Sequence, residues 1–432
     1  NTEIVRKIAA LRHEIARLLG YDCWADYVLE ENMAKNTETV MSFLEKLMTP
    51  SLPFAKREVQ TVYEYAVAHG FREIAEKSGL PFHTLMPWNF SYWAERYKEE
   101  KYSLNDEQLK PYFRLENCID AVLGLAGRLY GISFEERTDI PVYHRDVKVY
   151  DVRDNDGRHL ALFYADFFPR ATKRGGAWMT EFRGQRIENG VEERPLVSIV
   201  MNFSKPTENA PSLLTHDELT TFLHEFGHSL HGMFAEGRYP SLCGTNVARD
   251  FVELPSQIME NWAFEPEYLE SFAKDYRTGE VIPKSLITRI VNAKNYLAGY
   301  YQVRQLDFGE LDMAWHTLKA EPKEDTLDFE NAALEDYRVL PHFPGTAIST
   351  SFGHIFSGGY SAGYYSYKWA EVLEADAFAL FQEKGIFDRE TAESFRREIL
   401  SKGDSVDPAV LYRNFRGHEP DSQALMKKLG LV

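Results

Sequence analysis

Apolar residues recur at helical spacing over most of this 432-residue chain, and the pattern gives way in only two long stretches. From Thr2 to Leu19, Ile4, Ile8, Leu11, Ile15 and Leu18 fall on one face, and Gly20 follows as a helix stop. Asn36-Thr37-Glu38 opens a second long helical stretch, which should be interrupted near Pro50 and Pro53 and end at Gly70. Further helical patterns cover about Ser91 to Lys101 and Leu115 to Tyr130. The first break lies between about Ile132 and Phe203. There Val147 to Val152, His159 to Ala165 and Leu196 to Phe203 read as strands, and Asp154-Asn155-Asp156-Gly157 reads as a hairpin turn between the first two. The second break, Pro341 to Gly363, holds eleven Gly, Ser or Thr residues between Gly345 and Gly363, too many for a regular element. The expectation is a mainly α, multi-helix protein with a small antiparallel β-sheet inserted mid-chain. Three regions follow from the pattern: helical over 1–131, sheet over 132–205, helical over 206–432.

Composition narrows the partners. The net charge is −17 and no basic run supplies the concentrated positive surface that nucleic acid requires. No stretch of 18 or more apolar residues is present, so no membrane-spanning helix is expected. The three cysteines, Cys23, Cys118 and Cys243, are far apart and form no C-x-x-C pair. That spacing fits a reducing, cytoplasmic setting and argues against a thiolate metal site. The chain opens on Asn1 rather than Met, which leaves room for a natural start, or a removed signal peptide, upstream. Aromatic residues are abundant at 14% and cluster at Trp88 to Trp93, Phe163 to Phe168 and Tyr360 to Trp369. Such clusters either fill a helical core or wall a peptide-sized groove.

The chemistry concentrates at His224-Glu225-Phe226-Gly227-His228. Residues four apart on a helix share a face, so two imidazoles can grip one zinc ion. Glu225, one step along, is placed to take a proton from a metal-activated water. Thr215-His216-Asp217-Glu218 supplies an N-cap, and Leu219, Phe222, Leu223, Phe226 and Leu230 supply a buried stripe. A third ligand is needed. Six residues past His228 stands Phe234, and His231 reads as a packed polar residue or a support rather than a ligand. Glu253, in Arg249-Asp250-Phe251-Val252-Glu253-Leu254-Pro255, is the candidate, with Asp250 and Glu260 as rivals. Glu260 is also suited to hold a ligand histidine by its free ring nitrogen. The Lys173-Arg174-Gly175-Gly176-Ala177-Trp178 loop is either a place where backbone meets a ligand or an ordinary surface turn.

These segments resemble the thimet oligopeptidase family of zinc metallopeptidases. The resemblance rests on His224-Glu-Phe-Gly-His228 with Ser229-Leu230-His231, on Phe251-Val-Glu-Leu-Pro-Ser-Gln257, and on Phe352 to Tyr367, and it covers nearly the whole chain. Cys243 to Phe251 and Gly175 to Met179 are more similar to the bacterial peptidyl-dipeptidase (Dcp) branch than to the oligopeptidase A branch. The resemblance implies a zincin-type catalytic domain with a deep substrate channel. It implies one zinc held by His224, His228 and Glu253, with Glu225 as base. It further implies that the Tyr360 and Tyr367 phenols meet the scissile carbonyl and that His354 and Tyr364 line the same substrate site. The expected substrates are short peptides, cut to release dipeptides from free C-termini, with a monomer favoured. Gly176, Ala177 and Arg249 are substrate-binding candidates, Arg249 sharing with Lys173 or Arg174 the task of holding a C-terminal carboxylate. The alternatives are an endopeptidase on short peptides and a silent peptide-binding fragment. An intact Glu225 argues against the last. Family members carry a further N-terminal helical region that walls part of the channel, and here it is largely absent.

Overall fold

The computed structural model describes residues 1–77, 84–320 and 322–432. The chain divides into two compact units. One comprises Asn1–Ser103, Asn295–Trp369 and Leu425–Val432, and the other Leu104–Lys294 and Ala370–Ala424.

The first unit is helical. Its opening helix, Thr2–Leu19, ends where Gly20 turns left-handed and the Gly20 and Tyr21 amides return to the Arg17 and Ala16 carbonyls. The apolar stripe read from the sequence is not the buried one. Ile4, Leu11, Ile15 and Leu18 are exposed, while Val5 and Ala9 pack with Leu311, Trp315 and Ile355, and Ala16 is buried on the same helix. Small side chains at 9 and 16 let the helix sit close, and Arg12 on that side reaches the Ile355 carbonyl at 2.6 Å. After a short helix, Trp24–Leu29, the long helix Thr37–Ala68 is capped by Asn36, whose side chain accepts from the Thr39 amide at 2.9 Å. It runs unbroken through Pro50 and Pro53, against the interruption expected there. Each proline removes one helical donor. Burial of Val40, Leu44, Leu47, Met48, Ala55, Val62 and Ala66, in part along the helix Ala298–His316, outweighs that loss.

The second unit holds the sheet. Strands β1 (Ser133–Glu136), β2 (Lys148–Arg153), β3 (His159–Asp166), β4 (Trp178–Arg183) and β7 (Leu196–Val200) are ordered β1-β2-β3-β7-β4. The β2–β3 hairpin closes at Asp154–Gly157 as the turn residues require, with Gly157 left-handed. The expected antiparallel sheet is in fact mixed, because β3 and β7 run parallel with Leu162 beside Leu196. Twenty-nine residues separate these strands, long enough for a crossover that delivers β4 to the far edge and forms a separate hairpin, β5 (Arg186–Glu188) with β6 (Val191–Glu193). That hairpin turns on Asn189 and Gly190, both at positive φ.

Across the sheet lies the histidine helix, His216–Met233. Thr215 and Glu218 cap it reciprocally, the Glu218 amide donating to Thr215 Oγ1 at 3.0 Å and the Thr215 amide to Glu218 Oε2 at 2.8 Å. Phe222 and Phe226 pack on Phe167, Phe203, Phe163 and Phe134, so these aromatics are core. Arg194, ahead of β7, closes the far end. Its guanidinium donates to the Met233 and Ala235 carbonyls, each at 2.9 Å, and to Leu160 O at 2.8 Å. Arg194 thereby ties the C-terminal end of the helix to β3. Among the described residues no helix is long and apolar enough to cross a membrane, and Cys23, Cys118 and Cys243 are all free and buried.

Candidate metal centre

His224 and His228 stand one turn apart with ring centroids 5.0 Å apart and planes at 85°. The segment that answers them arrives from the turn Arg249–Glu253, which feeds the short helix Leu254–Glu260 with Pro255 in its first turn. Gly227, between the histidines, permits this. A Cβ there would lie 2.6 Å from Ser256 Cα and 2.9 Å from the Pro255 carbonyl carbon, and closer still to its oxygen. Only glycine lets the two backbones touch. The contact brings Glu253 Oε2 to 3.1 Å from His228 Nε2 and 3.4 Å from His224 Nε2.

The second nitrogen of His224 is held from the opposite side, Nδ1 lying 2.7 Å from Glu260 Oε1. Glu253 is also held, with the Ser256 hydroxyl 3.0 Å from Oε2. Among the described residues, His224, His228 and Glu253 form the one group of three metal-type side chains whose donor atoms all lie within 4.8 Å of each other. A tetrahedral ion with bonds of about 2.0–2.1 Å keeps its ligands about 3.3–3.4 Å apart. The two imidazole-to-carboxylate separations bracket that value, so the donor set fits a divalent cation. Asp250 is buried but outside this group, and Glu260 supports a ring rather than joining it.

Electrostatics reflects the crowding. Burial by itself would raise the Glu253 carboxyl, but His228 and His224 overcome it and hold it well below the usual carboxylate range. Burial would depress His224, and its hydrogen bonds to Glu253 and Glu260 lift it well above the usual imidazole range instead. Glu225 is 7% exposed, and burial raises its carboxyl against the opposing pull of His224 and His228. His231 is different. It is fully buried, and burial with His228 nearby lowers it to about 3. Neither of its ring nitrogens has a hydrogen-bond partner, so it is a packed neutral ring with no bond to either histidine or to Glu253.

The remaining candidates fall in two places. In the second unit, Gly176 is left-handed at φ +92°, and the Asn202 side chain pins the loop by donating to the Gly176 and Arg174 carbonyls at 2.7 and 2.9 Å. Ala177 is half-buried beside it, and Arg249 is exposed in the turn before Glu253. Lys173 does not serve as a carboxylate hook. Its ammonium is buried and donates to Asp166 Oδ1, Asp166 O and Phe168 O within 3.0 Å.

In the first unit, His354, Tyr360, Tyr364 and Tyr367 form one aromatic cluster. Tyr360 and Tyr367 stack at 5.0 Å, and the His354 ring lies 5.9, 5.6 and 6.3 Å from Tyr360, Tyr364 and Tyr367. Burial pushes the Tyr364 phenol up to about 12, and its hydroxyl donates to Gln305 Oε1 at 3.0 Å. Two buried carboxylates hold the glycine-rich segment that carries these rings. Asp312 accepts from the Ala362 and Tyr364 amides, both at 2.8 Å, and Glu330 accepts from the Ile348 and Ser349 amides at 2.7 and 2.8 Å. Arg12 donates to His316 Nε2 at 2.7 Å, which makes Nδ1 the protonated nitrogen facing Asp312 at 2.7 Å. None of these anchors was found from sequence. Asp312 and His316, four apart on one helix face, were the available signal.

Comparison with known proteins follows the same lines. The model of Peptidase family M3 matches residues 1–431. Oligopeptidase A of Escherichia coli is 39% identical over all of this chain, and the dipeptidyl carboxypeptidase of Salmonella typhimurium is 40% identical over 99% of it. The chain spans 62% of the length of each. Among solved structures, PZ peptidase A with an inhibitor superposes at a TM-score of 0.58 with 15% identity, covering 99% of this chain and 64% of that one. The M32 carboxypeptidase of Deinococcus radiodurans gives 0.56 with 16% identity, covering 99% and 73%. At those identities the likeness is one of fold. The family model and the curated relatives go further: this chain belongs to Peptidase family M3.

Proposed function

We propose that the chain is the catalytic portion of a zinc metallopeptidase that hydrolyses short peptides, most readily by releasing dipeptides from free C-termini. The observation that carries this reading is the convergence of His224 Nε2 and His228 Nε2 on one oxygen of Glu253, with buried Glu225 on the same helix. Two imidazoles and a carboxylate are a donor set for zinc, which supplies carbonyl polarisation and a more acidic water when bound. Glu260 fixes the His224 ring through Nδ1 and leaves Nε2 for the ion. Glu225 receives a proton from the attacking water and returns it to the departing amine, a task suited to a carboxyl raised by burial. Tyr360 and Tyr367 donate phenol hydrogen bonds to the developing oxyanion, with His354 and Tyr364 beside them, a role argued from the resemblance. Gly176, Ala177 and Arg249 bind substrate, Arg249 taking the terminal carboxylate. We place the enzyme in the cytoplasm, consistent with three free cysteines.

Glu225→Gln should retain one zinc per chain and lose at least a hundredfold in turnover; wild-type rates in that variant rule out the base. A second reading has equal footing in the relatives, since oligopeptidase A is as similar as the dipeptidyl carboxypeptidase. Peptides with amidated C-termini separate the two. Loss of cleavage supports dipeptide release, and undiminished cleavage supports an endopeptidase.

A further inference from the structure

The glycine-rich segment that carries His354 and the tyrosines is tied at two points, and both ties lead to Arg12 on the first helix. At the near point the Ile355 carbonyl, one residue from His354, accepts from Arg12 Nη1 at 2.6 Å. At the far point Asp312 holds two amides: Oδ1 accepts from Ala362 and Oδ2 from Tyr364, both at 2.8 Å. His316 joins the two points. Its Nδ1 donates to Asp312 Oδ1 at 2.7 Å, and its Nε2 accepts from the same Arg12 Nη1, also at 2.7 Å. A guanidinium only donates, so the two protons on Nη1 go to Ile355 and His316, and the buried imidazole is held neutral in one tautomer.

The far point is strained. Ala362 sits at φ +53°, left-handed backbone that a residue with a Cβ rarely adopts and that persists only where the surroundings over-determine it. Asp312 grips the amide of that residue and the amide two residues on, and Trp24 Nε1 donates to the neighbouring Ser361 hydroxyl at 3.0 Å. Arg12 packs on the same indole, its Cζ 5.7 Å from the Trp24 ring centroid. Between the tied points the chain doubles back, the Tyr360 amide donating to the His354 carbonyl at 3.1 Å. Asp312, His316, Ile355 and Ala362 are all buried, whereas His354 is exposed and Tyr360 half-buried. The ties therefore grip the back of the segment, away from its open side.

We propose that Arg12 and His316 are positioning residues for peptide hydrolysis, fixing the strained turn at Ala362 and with it the placement of the Tyr360 phenol. The inference rests on the peptidase reading above, in which that phenol stabilises the oxyanion. Arg12→Met keeps an aliphatic stem against Trp24 and removes both donated hydrogen bonds. kcat and KM are measured on the zinc-loaded chain, zinc content by chelator titration, and amide exchange over residues 360–364 by mass spectrometry on the zinc-free chain. kcat should fall about ten- to a hundredfold, the scale of an ångström's misplacement, with KM and bound zinc little changed. Exchange over 360–364 should quicken about tenfold or more. His316→Asn should act alike, because its amide still reaches Asp312 and no longer reaches Arg12. Arg12→Lys, which keeps a donor nitrogen, should recover part of the loss. In Tyr360→Phe, where the phenol is already gone, Arg12→Met should cost no more than about twofold, a coupling that a merely structural role would not produce. Should Arg12→Met fail to fold, His316→Asn carries the same comparison. Equal losses in the wild-type and Tyr360→Phe backgrounds, or wild-type kcat in both Arg12→Met and His316→Asn, overturn the positioning role and leave the peptidase reading standing. No cleavage by the zinc-loaded wild type overturns the peptidase reading and the positioning role with it.

Discussion

Replacing Gly227 by alanine adds one methyl group at the point where the metal centre is assembled. The new carbon would stand 2.6 Å from Ser256 Cα and nearer still to the Pro255 carbonyl oxygen, and these are backbone atoms with no rotamer to change. Relief requires the helix Leu254–Glu260 to withdraw by roughly 1 Å, since packed interiors hold no slack on that scale. Glu253 immediately precedes that helix, so its carboxylate moves with it. Separations of 3.1 and 3.4 Å to the histidines are close to what a shared ion needs, and a further ångström removes the fit. Stability should change modestly. Overpacking costs about 1–3 kcal/mol, while alanine regains about 1 kcal/mol of helix propensity. Zinc affinity should fall about tenfold to a hundredfold, comparable to losing a supporting contact. Competition against a chromophoric chelator measures the affinity, and thermal unfolding with and without zinc measures the rest. Gly124→Ala is the matched control, on an exposed helical position with nothing within 4 Å of the added carbon. It should gain about 1 kcal/mol and leave zinc binding alone. Wild-type zinc affinity in Gly227→Ala would refute the claim that this contact sets the site.

Glu260→Ala removes the acceptor of His224 Nδ1 and should weaken zinc about tenfold to a hundredfold, read by the same chelator competition, without abolishing the fold. Asp312→Asn exchanges one acceptor for an amide donor that faces either the Tyr364 amide or the Ala362 amide together with His316 Nδ1. It should cost about 1–3 kcal/mol in urea unfolding and reduce turnover with little change in bound zinc.

Much of the candidate metal centre's geometry was legible in one sequence. A four-residue spacing is a direct statement about a helix face, so it places His224 and His228 together with Glu225 beside them, while the cap and apolar stripe around them supply the context that makes the pattern a candidate site. Glu253 could be singled out as a carboxylate in an apolar setting before Pro255, but its separation from Asp250 and Glu260 depended on a backbone contact through Gly227 that no periodicity encodes. The same limit explains the errors. The parallel β3–β7 pair is a choice of partner, and strand periodicity reports only faces. The Thr2–Leu19 helix turned its smaller residues inward because they pack closer, although its larger apolar residues define the stripe. Pro50 and Pro53 were outweighed by burial along a helix almost 250 residues away in the chain. Asn189-Gly190 carries its hairpin signal in the dipeptide itself, both residues lying at positive φ. Lys173 looked available in the sequence, and only Asp166 in three dimensions shows it engaged.

The account stands on where an ion binds. Crystals of the zinc-loaded chain, with anomalous differences recorded at the zinc edge, give the position without reference to activity. The expected map has one principal peak per chain, within about 2.0–2.2 Å of His224 Nε2, His228 Nε2 and a Glu253 carboxylate oxygen. A map with no peak among these three side chains, or with its principal peak elsewhere, contradicts the assignment.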